Sequence, residues 1–183
     1  MTFWKVDFRH FNPADVRAIE ELFFSVFSEA EGEAEGRLIG GLARELLNST
    51  ASQDLFAFVA VEGDEILGAI IVTRMPAEQE ADLFVLAPVA VDTKSQGQGV
   101  GRELIAYGIN EVKERGVKVL VTYGDPGFYS RTGFQHITEE MIQPPFKLSQ
   151  PEGWLAQSLD GNPLQAIEGT CTCVSALNDP RYW

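Results

Sequence analysis

An apolar strand followed at once by closely spaced glycines and a helix constrains this chain more than any other feature. Residues 83–91 (LFVLAPVAV) are wholly apolar, and residues 95–101 (SQGQGVG) place glycines at 97, 99 and 101. From Val100 onward, apolar residues recur at helical spacing. Ordered glycine is entropically costly, and such a strand–turn–helix commonly binds an anion at the helix N-terminus. The pattern predicts an α/β domain.

The spacing of the glycines excludes two common phosphate motifs. No Gly-x-x-x-x-Gly-Lys-Ser/Thr run exists, and a Gly-x-Gly-x-x-Gly fingerprint starting at Gly97 would need glycine at position 102, which is Arg. Two interpretations remain. Successive backbone N–H groups form a concave anion site, or the glycines form a flexible connection without a ligand.

The remaining hydrophobic pattern predicts the element order β-α-α-β-β-β-α-β-α-β and therefore a mixed sheet. The acidic tract 29–36 is expected to be a loop. Pro88 cannot donate to a ladder, so we expect it at a bulge or where strand pairing ends. The predicted strands are 3–9, 55–61, 66–74, 83–91, 117–123 and 134–138, with further candidates near 153–159 and 169–177. The predicted helices are 13–28, 38–48, 100–115 and 125–132.

Length and composition favour one cytoplasmic domain without a membrane span. The chain has 183 residues and lacks any apolar run of 18 or more. Cys171 and Cys173 cannot make a disulfide framework, and they lack a second pair of ligands for zinc. The net charge of −13 argues against a nucleic-acid partner.

The charge is distributed unevenly along the chain. Residues 1–92 contain 6 Lys and Arg against 17 Asp and Glu, whereas residues 93–118 contain 5 against 3. The glycines therefore lie in a locally basic part of an acidic chain. This favours an anion at the glycines and a cationic partner elsewhere, although surface charge of this kind also serves solubility alone.

Two motifs resemble those of the GCN5-related N-acetyltransferases, the GNAT family. Gln96, Gly99 and Gly101 fall on the Gln/Arg-x-x-Gly-x-Gly/Ala signature, and residues 128–134 (FYSRTGF) are similar to the Phe-Tyr-x-x-x-Gly-Phe segment about 30 residues later. Residues 124–126 (GDP) are similar to those of predicted bacterial acetyltransferases. The resemblance covers residues 3–138.

The resemblance implies a GNAT-type acyl-CoA N-acyltransferase fold. In that fold, a central mixed, mostly antiparallel twisted sheet is flanked by helices and splays between the strands at 83–91 and 117–123. We expect a single domain over 1–183 with its core at 3–138. The extension 139–183 then completes the sheet or forms the contact of a homodimer.

The resemblance also implies where acetyl-CoA binds, with no metal. Backbone amides hold its pyrophosphate, and the positions concerned are Gln96, Gly97, Gln98, Gly99, Val100, Gly101 and Arg102. The main chain of Val89, Ala90 and Val91 pairs with the pantetheine arm, and an N–H near Val89 or Ala90 polarises the thioester carbonyl. Asp125 and Phe128 complete the coenzyme side; many relatives have Asn at the position of Asp125, whose carboxylate is also suited to capping a short helix.

The implied reaction is direct attack of a neutral amine on the thioester. Tyr129 matches the general acid that protonates the leaving thiolate. With cysteine standing in for the coenzyme thiol, this transfer is uphill by roughly 2 kcal/mol, so Tyr129 needs no large pKa shift to act as the acid. Glu80 and Asp82 are candidates for the general base, and a water chain is the alternative.

The acceptor is expected to be a small-molecule or protein amine. A cationic one would be drawn to the acidic tract 29–35. Two other functions stay open at this stage: a non-catalytic acyl-CoA-binding sensor or interaction module with the same fold, and a protein that binds another nucleotide.

Overall fold

The computed structural model describes residues 5–183, and the order of strands and helices agrees with the predicted one. The strands are β1 (Asp7–His10), β2 (Leu55–Glu62), β3 (Glu65–Arg74), β4 (Leu83–Val91), β5 (Val119–Tyr123), β6 (Gln135–His136) and β7 (Trp154–Ser158). The helices are α1 (Val16–Glu31), α2 (Glu33–Ser49), α3 (Val100–Glu114) and α4 (Pro126–Tyr129). The first residues of the strand predicted at 3–9 lie outside the described part. No helix in the described part is long and apolar enough to cross a membrane.

The strands form one open, mixed sheet of seven strands in the order β1-β2-β3-β4-β5-β7-β6. β4 and β5 pair in parallel, whereas β1 with β2, β5 with β7 and β6 with β7 are antiparallel. A tight turn at Gly63, with φ of +61°, joins β2 to β3. The predicted fold class is confirmed.

Strand β4 has one residue more than the stretch of β3 that it faces. The N–H of Met75 donates to the Leu83 carbonyl at 2.9 Å, and the N–H of Asp92 donates to the Leu67 carbonyl at 2.7 Å. Between these two bonds β3 advances by eight residues and β4 by nine. The extra residue makes β4 bulge, as the presence of Pro88 within this strand led us to expect.

The chain divides into two compact units, and strands β3 and β4 run through both. The first unit contains the residues up to Ile71 together with Pro88–Gly108. In it, α3 packs on β2 and β3, where a Cβ at Gly108 would lie 2.6 Å from Ile70 and 3.1 Å from Phe58. Glycine at this position therefore lets the helix approach the sheet closely.

The acidic tract belongs to two helices, so the predicted loop at 29–36 is wrong. α1 continues through Glu31, and α2 begins at Glu33 after a break at Gly32, where φ is +100°. Glutamate and alanine are good helix formers, and Glu33 and Glu35 in the first turn favour the helix dipole. Local propensity therefore outweighs the polar composition that suggested a loop.

The second unit contains Val72–Ala87 together with Ile109–Trp183. Its strand β7 comes from the C-terminal extension and lies between β5 and β6. The strand expected at 169–177 is absent from the described residues. Single bridges join Cys171 to Ala77 and Thr170 to Gln143, and a 3₁₀ turn spans Ser175–Leu177. The left-handed Gly169, with φ of +89°, turns the chain at the start of this segment, so no continuous ladder forms.

Candidate active site

The glycine-rich turn lies in the first unit, between the end of β4 and the start of α3. A 3₁₀ turn at Thr93–Ser95 follows Asp92, whose side chain accepts a hydrogen bond from the N–H of Lys94 at 3.2 Å. Gly97 and Gly99 then have φ of +77° and +86°. Both values lie in the left-handed region that favours glycine. The backbone conformation of the turn therefore favours glycine at two of the three glycine positions.

The N-terminus of α3 presents free backbone donors. The first hydrogen bond of the helix runs from the N–H of Glu103 to the carbonyl of Gly99 at 3.0 Å. The N–H groups of Val100, Gly101 and Arg102 precede it and have no acceptor within the helix. A Cβ at Gly99 would lie 4.0 Å from the guanidinium of Arg102. A helix dipole, three amides and one cation therefore act together, which suits an anion.

Two glutamine side chains connect this turn to the chain before it. Gln96 donates from Nε2 to the Val91 carbonyl at 3.0 Å, and Gln98 donates to the Lys94 carbonyl at 3.3 Å. The side chain of Gln96, a position of the family signature, is therefore engaged within the protein. Its structural effect is to hold the turn against the end of β4.

The main chain of β4 alternates in direction near its end. The bond from Asp92 to Leu67 shows that Asp92 faces β3, and the carbonyl of Ala90 lies 3.3 Å from where a Cβ of Gly68 would be. Since successive residues of a strand point their main-chain groups to opposite sides, those of Val89 face away from β3. The carbonyl of Val91 lies on the same edge and accepts the hydrogen bond of Gln96.

Tyr129 lies in the second unit at the end of α4 and is 9% exposed. Asp125 caps this helix by accepting the N–H of Gly127 at 2.9 Å, so its capping role is confirmed. The Tyr129 ring meets Phe128 and Phe134 edge to face, with centroids 5.0 and 5.8 Å apart. These contacts fix the position of the phenol ring.

Burial raises the pKa of Tyr129 to about 12. A hydrogen bond with the side chain of Thr122 lowers the pKa, and the nearby carboxylate of Asp125 raises it further. The roughly 2 kcal/mol expected for the proton transfer assumed an ordinary tyrosine pKa and left out the effect of burial. The phenol therefore keeps its proton at every physiological pH.

Asp82 and Glu80 lie before β4, at the end of the β4–β5 pairing that begins with Leu83 and is opposite the end at Leu86. The carboxylate of Asp82 is 3.7 Å from Nζ of Lys118, and its carbonyl accepts the N–H of Lys118 and of Val119 at 2.9 and 3.1 Å. The parallel β4–β5 register runs from Leu83 to Leu86. At about 3.3 Å per residue, Asp82 is therefore about 13 Å from Leu86 along the strand.

No motif in the sequence singled out Thr122, a wholly buried residue of β5. Its Oγ1 donates to the carbonyl of Leu86 at 2.7 Å, and Leu86 and Thr122 are the last pair of the parallel register. The one signal in the sequence was a hydroxyl residue within an apolar strand, residues 117–123 (VKVLVTY). Among residues 5–183, no group of three or more His, Cys, Asp or Glu side chains is placed to hold a metal ion.

The chain is similar to known proteins of one family. Residues 53–136 match the family model of the acetyltransferase (GNAT) domain. The uncharacterised N-acetyltransferase YhbS of Escherichia coli K12 is 33% identical over 127 residues, which are 67% of this chain and 70% of YhbS. The uncharacterised N-acetyltransferase YjhQ of the same organism is 27% identical over 167 residues, covering 88% of this chain and 86% of YjhQ.

Solved structures show the same fold. The crystal structure of Escherichia coli YhbS in complex with CoA superimposes with a TM-score of 0.80 at 24% identity, covering 98% of this chain and 95% of that one. A GNAT acetyltransferase from Brucella melitensis in complex with acetyl-CoA gives a TM-score of 0.69 at 23% identity, covering 95% and 99%. The matching family model and the 33% identical relative, together with the shared fold, define the class of protein as an acetyltransferase. The chain belongs to the GNAT family of N-acetyltransferases.

Proposed function

We propose that this protein transfers the acetyl group of acetyl-CoA to an amine, and that its glycine-rich turn binds the pyrophosphate of the coenzyme. One observation carries the proposal. Three backbone amides without intrahelical acceptors lie at the start of α3, in a segment that the family model matches. A pyrophosphate supplies the negative charge and the acceptor oxygens that these donors need.

The donor site extends from the turn along β4. The amides from Gln96 to Arg102 bind the pyrophosphate, and the free main-chain edge at Val89 pairs with the pantetheine arm as an added strand does. Because the N–H of Ala90 faces β3, the N–H of Val89 is the donor for the thioester oxygen. Further positions assigned to the coenzyme are Ala90, Val91, Gly97, Gln98, Gly99, Val100, Gly101, Asp125 and Phe128.

The chemistry is direct attack of a neutral amine on the thioester carbonyl. The N–H of Val89 stabilises the oxyanion, and Tyr129 gives its proton to the sulfur as the C–S bond breaks. With a tyrosine pKa of about 12 and a thiol of about 8.5, that transfer is uphill by about 5 kcal/mol. Burial therefore keeps the acid protonated but makes its proton harder to release.

The proton of the attacking amine needs another acceptor. Glu80 is exposed, and Asp82 is engaged with Lys118 at the far end of the β4–β5 pairing. We therefore favour a water chain over either carboxylate as the route by which this proton leaves.

The acceptor is proposed to be a cationic amine, from a small molecule or a protein. The support is electrostatic: Glu29, Glu31 and Glu33 are exposed at the junction of α1 and α2, and Glu35 beside them is half-buried. Attraction of this kind increases the local concentration of a cationic substrate and weakens as salt is added.

The test is release of free thiol from acetyl-CoA in the presence of a library of primary amines. We expect turnover with at least one amine, and we expect Tyr129→Phe to lower kcat by about 10²- to 10⁴-fold while coenzyme affinity stays the same. Unchanged turnover in Tyr129→Phe would remove the role of the acid. Coenzyme binding without turnover on any amine would favour a non-catalytic acyl-CoA sensor over an acetyltransferase. Tighter binding of ATP or NAD than of coenzyme A would contradict both of these functions.

A further inference from the structure

Strand β5 ends at a tyrosine that contacts the C-terminal extension, residues 139–183. Tyr123 is the last residue of the β5–β7 register, where it pairs with Trp154. Its ring lies edge to face with that of Trp154 and is stacked on that of Trp183, and the centroids are 6.4 Å apart in both pairs. The two indole rings meet edge to face at 6.1 Å. The three rings therefore form one aromatic cluster at the end of β5.

Both tryptophans of this cluster are buried and hydrogen-bonded. Nε1 of Trp154 donates to the carbonyl of Ile142 at 2.9 Å. Nε1 of Trp183 donates to the carbonyl of Leu177 at 3.0 Å. Because each indole is held by its N–H as well as by packing, the two rings have little freedom to rotate. Tyr123, which is half-buried, therefore lies against a fixed surface.

The hydroxyl of Tyr123 belongs to a series of hydrogen bonds that leads to Trp183. It accepts the N–H of Gln150 at 2.6 Å and lies 3.1 Å from Oγ of Ser149. Ser149 donates its one hydrogen to the carbonyl of Trp183 at 3.0 Å, so Tyr123 is the donor toward Ser149. Hydrogen bonds linked in this way polarise one another. Loss of the Tyr123 hydroxyl would therefore weaken the attachment of β5 to the extension.

The residue after Tyr123 contacts both the extension and the proposed acid. The N–H of Gly124 donates to the carbonyl of Gly153 at 3.0 Å, and a Cβ at Gly153 would lie 2.7 Å from the carbonyl oxygen of Gly124. A Cβ at Gly124 would in turn lie 2.7 Å from Cε2 of Tyr129. Closely packed groups of this kind cannot shift independently. The position of Gly124 therefore affects where the phenol ring lies.

We propose that Tyr123 is a positioning residue: it anchors the end of β5 to the C-terminal extension and thereby fixes Gly124 and the phenol ring of Tyr129. The inference rests on the proposed role of Tyr129 as general acid. Tyr123 itself exchanges no proton with the substrates. A reacting group must be held within about 0.5 Å of its productive position, so the strength of this anchor affects the rate.

The kinetic test removes the Tyr123 hydroxyl alone. We expect Tyr123→Phe to lower kcat by about tenfold, since a misplacement of about 1 Å costs up to about 100-fold, while KM for acetyl-CoA stays the same. In the Tyr129→Phe background, Tyr123→Phe should have no further effect. The control is Tyr107→Phe, which removes a hydroxyl from α3 and should keep wild-type kcat. An equal loss from Tyr123→Phe in both backgrounds would show general structural damage and overturn the proposal.

The partner of the hydroxyl supplies a second comparison. Ser149→Ala interrupts the same series of hydrogen bonds between Tyr123 and Trp183. We expect the double variant Tyr123→Phe/Ser149→Ala to have the same kcat as Tyr123→Phe, because two changes in one network are not additive. Additive losses of kcat would show that the two hydroxyls act independently and would contradict the inference.

The leaving group provides a readout that a merely structural residue would not change. An acetyl thioester of an aromatic thiol releases a weakly basic thiolate that needs no acid, so Tyr123→Phe should be nearly as active as wild type with this donor. A loss of kcat as large as that with acetyl-CoA would contradict the inference. Wild-type kcat for Tyr129→Phe with acetyl-CoA would instead contradict the proposed acid.

Crystal structures of the variants separate the two proposals without turnover. We expect the phenol oxygen of Tyr129 to move by more than about 0.5 Å in Tyr123→Phe and in Gly153→Ala, and to stay in place in Tyr107→Phe. An unmoved phenol in Tyr123→Phe would overturn the inference even if kcat fell. A displaced phenol in a protein inactive on every amine would retain the positioning role and contradict the proposed function.

Discussion

A Cβ atom at Gly124 would lie 2.7 Å from Cε2 of Tyr129, closer than two carbon atoms can approach. The residue directly after β5 therefore determines where the ring of the proposed acid lies. Because Phe128 and Phe134 contact the same ring, it cannot move without disturbing them.

Gly124→Ala is accordingly expected to displace the Tyr129 ring. We expect kcat to fall at least tenfold and the free energy of unfolding to fall by about 1 to 3 kcal/mol, the usual range for overpacking. Steady-state kinetics and urea denaturation measure the two effects. Gly41→Ala is the control, since a Cβ there meets nothing within 4 Å and alanine favours the helix. Wild-type kcat in Gly124→Ala would show that the ring position does not matter.

Gly99→Ala tests the shape of the anion-binding turn. Alanine at φ of +86° is strained by about 1 to 2 kcal/mol, and relief of that strain would move the amides that follow. We expect coenzyme A to bind about tenfold more weakly, equivalent to one lost hydrogen bond, as measured by calorimetry. Gly63→Ala, with φ of +61° in the β2–β3 turn, is matched in backbone strain and should leave the coenzyme affinity unchanged. Equal losses of affinity in both variants would contradict a specific role for Gly99.

The raised pKa of Tyr129 predicts a loss of stability at alkaline pH. The folded protein holds this proton up to about pH 12, whereas an unfolded tyrosine loses it near the ordinary tyrosine pKa of 10.0. The contribution is complete below about pH 10 and is lost as the pH approaches 12, with a full size of about 3 kcal/mol. Tyr129→Phe should remove this part of the slope in denaturant unfolding between pH 9.5 and 11. Identical slopes for the two proteins would show that Tyr129 ionises normally.

The lowered pKa of Asp15 predicts a loss of stability at acid pH. Hydrogen bonds from Arg9 at 2.7 Å and from the N–H of Asn12 at 2.7 Å hold the pKa of its carboxyl below the ordinary value of 3.8. The contribution is present above pH 4 and disappears as the pH falls through the lowered value. Asp15→Asn should lower the free energy of unfolding by about 1 kcal/mol at pH 7 and by less at pH 3. The matched Asp7→Asn, at the exposed pair with Lys5, should change it by less than about 0.5 kcal/mol.

The sequence predicted much of the fold because its signals were local. Strand β4 has the predicted bounds of Leu83–Val91, and α3 begins at Val100, directly after Gly99. The loop predicted for the acidic tract was wrong because its charge indicated only solvent exposure, and a helix surface provides that as well as a loop does. The strand predicted at 169–177 was wrong because the segment makes only single bridges, to residues 77 and 143, which are distant in the chain.

The site residues divide in the same way. By itself, the sequence determined the glycine-rich turn and the Phe-Tyr segment, since a left-handed backbone and a helix start depend on neighbouring residues. Only the tertiary structure decided that Thr122 reaches Leu86, that Asp82 pairs with Lys118, and that burial raises the pKa of Tyr129. Each of these depends on which strands lie side by side and how deeply a side chain is enclosed. Such contacts join residues far apart in the chain, so no local pattern records them.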